Sequence, residues 1–216
     1  TGGDLMKLYT RFRNSAGERV RIALYLKGLD YEYVPVGSLL KGAYQAINPQ
    51  GLMPTLEIDG RCFAQSSAIL EFLEERYPEP NLLPADPVDR ARARSFGAHI
   101  AAEMHALTVT RVRAFVERDL NAGEDGLKAC LHHWLDLGLR ALETSLEARE
   151  TPTPFCFSDT PGWADLHLVP QLDNTRGFGV DLAPYPLLSE IDARCRALEP
   201  FQRAHQSAQP DFSGDG

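Results

Sequence analysis

The sequence predicts two units: a small mixed α/β domain over residues 6–86 and an all-α domain over residues 87–210. Three observations predict this. Strand-type and helix-type patterns alternate as far as residue 77, a proline-dense segment follows, and beyond it only helical periodicity recurs. At 216 residues and 44% hydrophobic, the chain has enough apolar material to bury both cores, which a disordered or collagen-like composition has not. The formal charge of −8 argues against nucleic acid as a partner, because phosphate binding needs a basic surface.

Lys7-Leu8-Tyr9-Thr10 reads as the first strand. Asn14 and Ser15 then mark the hand-over to a helix in which Val20, Ala23 and Leu24 recur at three- and four-residue spacing, and that spacing directs Arg19 and Arg21 away from the buried face. Tyr31 to Val36 alternates as a second strand, and Thr55-Leu56-Glu57-Ile58 follows Met53-Pro54 as a third. Asp59-Gly60 supplies the positive φ angles of a hairpin turn into Cys62-Phe63-Ala64. Gln65-Ser66-Ser67 caps a helix that runs through Tyr77 and stops at Pro78. Pro78, Pro80, Pro84 and Pro87 form the linker.

Beyond the linker, Val88 to Asp119, Asp125 to Glu150, Gly162 to Asn174 and Leu187 to Leu198 carry helical periodicity. Leu127, Leu131, Leu135, Leu142 and Leu146 read as a structural stripe, and Trp134 on the same helix as structural too. Asp165 is placed to reach back to the backbone N–H at the start of its helix, where Gly162 offers no side-chain oxygen. His132 and His133 diverge on a helix, so no metal is expected. Cys62, Cys130, Cys156 and Cys195 form no C-x-x-C pair, no apolar run approaches the ~18 residues of a membrane span, and no signal-peptide pattern precedes the first strand. A reduced, cytoplasmic setting without membrane contact is expected. Thr1 to Leu5 reads as a cloning remnant and Gln206 to Gly216 as a loose tail.

The β-α-β-β-β-α order, with a proline directly before the third strand, is the thioredoxin-like pattern. Its first helix carries Arg19-Val20-Arg21-Ile22-Ala23-Leu24, and further segments follow in Ala46-Ile47-Asn48-Pro49, Met53-Pro54-Thr55-Leu56, Gln65-Ser66-Ser67-Ala68-Ile69, Leu82-Leu83-Pro84, Ala164-Asp165, Val169-Pro170-Gln171 and Val180-Asp181-Leu182-Ala183-Pro184-Tyr185-Pro186. In this set and order, over residues 6 to 210, the chain resembles the zeta class of the glutathione-transferase family. The resemblance implies a thioredoxin-like glutathione-binding domain joined to a helical substrate domain, substrates in a cleft between them, and a homodimer.

What the resemblance implies for the site is carried residue by residue. Gln65 and Ser66 meet the γ-glutamyl end of glutathione, the backbone of Met53 before a cis Pro54 pairs with its cysteinyl part, and Lys41 faces its glycine carboxylate in a loop shorter than usual. Read without the resemblance, Gln65-Ser66 is a helix cap and Met53-Pro54 a turn. Where the zeta pattern has Ser-Ser-Cys, this chain has Asn14-Ser15-Ala16. Asn14 and Ser15 both remain able to hydrogen-bond a thiolate beside a helix start, whose N–H groups and dipole favour an anion; Asn14 is equally an ordinary N-cap.

Zeta enzymes isomerise the cis double bond of maleylacetoacetate or maleylpyruvate in the degradation of aromatic compounds, so the implied substrate is a small unsaturated dicarboxylate. Arg13, beside the thiolate, and Arg111 are the carboxylate-binding candidates; His105, six residues before Arg111 on one long helix, joins the glutathione-binding set. Arg176 stands behind them, one place earlier than the family arginine, whose position is Gly177 here. Two other classes stay open: net glutathione transfer or reductive dehalogenation of small electrophiles, and a non-catalytic binding protein.

Overall fold

A computed structural model describes residues 5–39 and 42–214. The elements expected in the first part are present as β1 (Met6–Thr10), α1 (Ser15–Leu26), β2 (Glu32–Pro35), β3 (Thr55–Ile58), β4 (Arg61–Ala64) and α3 (Ser66–Arg76), and a short helix that the β-α-β-β-β-α reading lacks, α2 (Ala43–Ile47), stands between β2 and β3. The sheet runs β2-β1-β3-β4, with β2 parallel to β1 and the remaining pairs antiparallel. Asp59 (φ 50°) and Gly60 (φ 74°) make the hairpin turn predicted for them.

The register decides where ligands can be met. Tyr9 pairs with Thr55 and Thr55 with Ala64, so the end of β1, the start of β3 and the end of β4 share one sheet edge. Segments 11–15, 53–54 and 65–66 therefore all leave the sheet at that edge.

The chain divides into two compact units, one made of the residues up to Leu82 together with those from Arg196 onward, the other of Leu83–Cys195. Segment 196–210, which sequence patterning groups with the helices, packs with the first unit. The reason is polar as well as apolar: α10 (Glu199–Ala204) lies on α1, and Arg21 Nε donates to Ala204 O at 2.9 Å.

Two further expectations change. Every residue of α1 from Ser15 to Leu24 is buried, and Arg19 and Arg21 are 1% and 0% exposed rather than turned outward. The tail is ordered through Phe212: Gln209 is buried, its Nε2 donating to Arg203 O and His205 O at 2.8 Å each. Lys27, at the far end of α1, binds Glu74 at 2.8 Å and the carbonyls of Tyr77 and Pro80.

The second unit comprises α4 (Pro87–Ala98), α5 (Ala106–Thr108), α6 (Thr110–Ala114), α7 (Gly123–Glu147), α8 (Trp163–Gly177) and α9 (Pro186–Arg196). The single helix expected over Val88 to Asp119 is broken. Segments His99–His105 and Phe115–Asp119 wind in wider π-type turns, and Val109 is extended at ψ 146°. Thr108-Val109-Thr110 is a β-branched run, which crowds the preceding turn, and Thr108 Oγ1 donates to His105 O at 3.0 Å. The leucine stripe of α7 is buried from Leu131 to Leu146 and half-buried at Leu127, and Trp134 is 44% exposed and stands edge-on to His133. Asp165 accepts from Gly162 N at 2.9 Å as expected, and also from Cys156 N, which ties the preceding loop to α8.

Candidate active site

The hand-over from β1 to α1 is a closed cap. Asn14, extended at φ −148°, accepts from Gly17 N through Oδ1 at 2.5 Å. A Cβ at Gly17 would stand 2.1 Å from Thr10 Oγ1 and 2.6 Å from Asn14 Oδ1, so glycine alone lets strand end and cap approach this closely. With the amide oxygen engaged, Asn14 presents its NH2 as a donor. Ser15 is the first helical residue and is buried, and Arg13 is exposed immediately before the cap.

The preceding loop is held from two sides. Arg21 donates to Arg11 O at 3.3 Å and Phe12 O at 3.2 Å, while Phe12 N donates to Asp211 Oδ2 at 3.1 Å. Asp211 Oδ1 accepts from Tyr33 OH at 2.6 Å, and burial, helped by this bond, pushes the Tyr33 hydroxyl well above its ordinary pKa. Phe12 and Phe212 meet edge to face at 5.6 Å.

At the start of β3, Met53–Pro54 is cis. The carbonyl of Leu52 just before it accepts from Tyr44 OH at 2.8 Å and Asn48 Nδ2 at 2.7 Å, and Tyr44 OH also meets Thr55 Oγ1 at 2.8 Å. The Asn48 of the Ala-Ile-Asn-Pro motif is thus a brace for the Met53 backbone.

Gln65 does not cap α3 with its side chain. Its φ is +73°, and its exposed Nε2 donates to Gln50 Oε1 at 2.7 Å. A non-glycine residue held in that region is a strained conformation of the kind found at ligand clamps. Ser66 opens α3, buried, with Oγ accepting from Arg19 Nη1 at 3.3 Å. Arg19 Nε and Nη2 have no hydrogen-bond partner among the described residues, and burial lowers the Arg19 pKa to about 10.

The fold thus brings Arg13, Asn14, Ser15, Met53, Pro54, Gln65 and Ser66 to one sheet edge of the first unit. Lys41 lies outside the described residues. In the second unit, His105 is half-buried at the end of a π-type segment and Arg111 is exposed on α6; the break at Val109 removes the shared-helix argument that linked them. Arg176 Nη2 is bound to Asp192 Oδ2 at 2.5 Å and Nη1 to Asp173 Oδ1 at 3.4 Å, so its guanidinium is engaged within its own unit.

Comparison with known proteins gives the family. Residues 11–81 match the glutathione S-transferase N-terminal domain model. A maleylpyruvate isomerase from a Ralstonia species is 41% identical over 95% of this chain and 99% of its own. The chain belongs to the zeta-class glutathione transferase family of maleylpyruvate and maleylacetoacetate isomerases. Two solved zeta-type structures extend the match. The holo form of a bacterial zeta-class maleylpyruvate isomerase superposes with TM-score 0.91 at 41% identity, covering 96% of this chain and all of that one. A maleylacetoacetate isomerase from Anaeromyxobacter dehalogenans 2CP-1, with dicarboxyethyl glutathione and citrate bound in its active site, superposes with TM-score 0.86 at 40% identity, covering 100% and 97%.

Sequence reading of this zeta-class chain missed Arg19, Arg21, Tyr33, Tyr44 and Asp211. Only the two arginines left a local signal, since they interrupt the apolar run of α1; the others act across 11 to 199 residues of chain.

Proposed function

We propose that the protein is a glutathione-dependent cis-trans isomerase of a small cis-unsaturated dicarboxylate, of the maleylpyruvate or maleylacetoacetate type, working in the cytoplasm as a homodimer. The observation that carries the reading is the shared sheet edge, where two helix starts and a strained Gln65 leave the sheet from one register and a buried, under-bonded arginine reaches Ser66 from behind. Such a set suits a peptide carrying a carboxylate at one end and an ionisable thiol in its middle.

The residues divide the work. Gln65 and Ser66, with the N–H groups that open α3, hold the γ-glutamyl end; the Met53 backbone takes the cysteinyl part; Asn14 Nδ2, Ser15 and the N–H groups of α1 favour thiolate over thiol. Lys41 and His105 complete the glutathione set. Glutathione, when bound, supplies a thiolate that adds reversibly to a double bond conjugated with a carbonyl, so that rotation and departure give the trans isomer with no glutathione consumed. Arg13 and Arg111 pair with the substrate carboxylates, whereas Arg176 is engaged by Asp192 and Asp173. The ligand of the Anaeromyxobacter relative fits this chemistry, because a dicarboxyethyl group on sulfur has the composition left when a thiol adds to a butenedioate.

The test is loss of the cis-enone absorbance of maleylpyruvate and of maleylacetoacetate with glutathione far below substrate. Many turnovers per glutathione are expected. A halt after one equivalent of thiol overturns the isomerase and leaves a transferase; no turnover at all leaves a binding protein. Sedimentation velocity reads the dimer.

A further inference from the structure

Arg19 is a guanidinium without enough to hold. It is 1% exposed, donates one hydrogen bond to Ser66 Oγ at 3.3 Å, and pairs with no carboxylate among the described residues. Burying such a charge is expensive unless something on the reaction path compensates it. Two features name the compensating chemistry. Ser66 stands at the first position of the 11-residue α3, where unbonded N–H groups and the positive dipole end attract an anion. The bond from Arg19 also engages a lone pair of Ser66 Oγ, which leaves the hydroxyl hydrogen as the group Ser66 can offer a ligand.

We propose that Arg19 is a positioning and charge residue for the α-carboxylate of the γ-glutamyl group: it orients the Ser66 hydroxyl towards that carboxylate and balances its charge from one hydrogen bond behind. The inference rests on the glutathione reading above. Arg19 touches no reacting atom. Its contribution is an attraction through a poorly screening interior, felt by a ligand with the carboxylate and not by one lacking it. The lowered Arg19 pKa is the free-protein face of the same arrangement, since desolvation without an anion disfavours the charged form.

Calorimetry on the full chain compares glutathione with 4-aminobutanoyl-cysteinyl-glycine, which differs only in lacking that carboxylate. In the unaltered protein, glutathione is expected to bind about 30-fold more tightly, within the range for hydrogen bonds to a charged group. In Arg19→Met the preference is expected to shrink to about threefold, and in Arg19→Lys to recover in part. Equal preference in the unaltered protein and Arg19→Met overturns the proposal while leaving glutathione binding intact; no saturable heat with millimolar glutathione in the unaltered protein overturns the glutathione reading instead. If Arg19→Met fails to fold, the unaltered protein decides through its Arg19 Nε–H nuclear magnetic resonance signal. That signal must move with glutathione and stay with the analogue; a signal unmoved by both, or moved equally, overturns the proposal.

Discussion

Arg19 and Arg21 stand two residues apart on α1, both sealed from solvent, and have opposite surroundings. Arg21 donates to the carbonyls of Arg11, Phe12 and Ala204 and lies 3.8 Å from Glu18, whereas Arg19 has one serine hydroxyl. A fully bonded guanidinium is a structural joint: its attractions are already spent within the chain. An under-bonded one holds attraction in reserve, and what it faces tells which ligand can use it.

The largest expected effect separates the two directly. Arg21→Met leaves three carbonyls without their donor, and urea unfolding should show a loss of ~3–5 kcal/mol, the usual cost of removing one partner from a buried polar set. Arg19→Met removes a charge that lacks compensation, and its stability should stay within ~1 kcal/mol of the parent. Equal losses would dissolve the distinction.

The cap repeats the contrast on a smaller scale. Asn14 is engaged with Gly17 N, so Asn14→Ala should cost ~1 kcal/mol of stability as a lost N-cap, while Ser15→Ala should cost less. At least one of them should lower turnover by ~10-fold or more, the worth of a hydrogen bond to a thiolate. Parent-like rates for both and for the double variant would assign thiol activation to the backbone alone.

Arg111 and Arg176 give the smallest and most specific test. Arg111→Ala should raise KM for the dicarboxylate by ~10-fold, the worth of one charge-assisted contact. Arg176→Ala should leave KM within about twofold and cost ~1–3 kcal/mol of stability, because Asp192, 2% exposed, loses a charged donor. A KM change for Arg176→Ala as large as that for Arg111→Ala would return Arg176 to the substrate.

The succession of strands along the chain, the Asp59-Gly60 hairpin, the proline before β3 and the Gln65-Ser66 helix start were all readable from residues near one another in sequence. Local chemistry decides them, so local pattern reports them. The burial of Arg19 and Arg21 was not readable, because three-residue spacing identifies an apolar face but not a second face covered by α10 and the loop before α1. The break at Val109 was hidden by arginine-rich, helix-compatible neighbours, although the β-branched run was its mark. The docking of Asp211 left no sign at all: an aspartate in a polar tail looks the same whether it meets water or the amide of Phe12, 199 residues away.

That last contact sets a clock. A ribosome adding ~5–20 residues per second needs roughly 10–40 s to pass from Phe12 to Asp211, and throughout that interval β1 and α1 exist without the carboxylate and the Ala204 carbonyl that finish their joint. The first unit to emerge is therefore the last to be completed, and the loop that presents Asn14 and Ser15 acquires its final anchorage only after the entire helical unit has been synthesised.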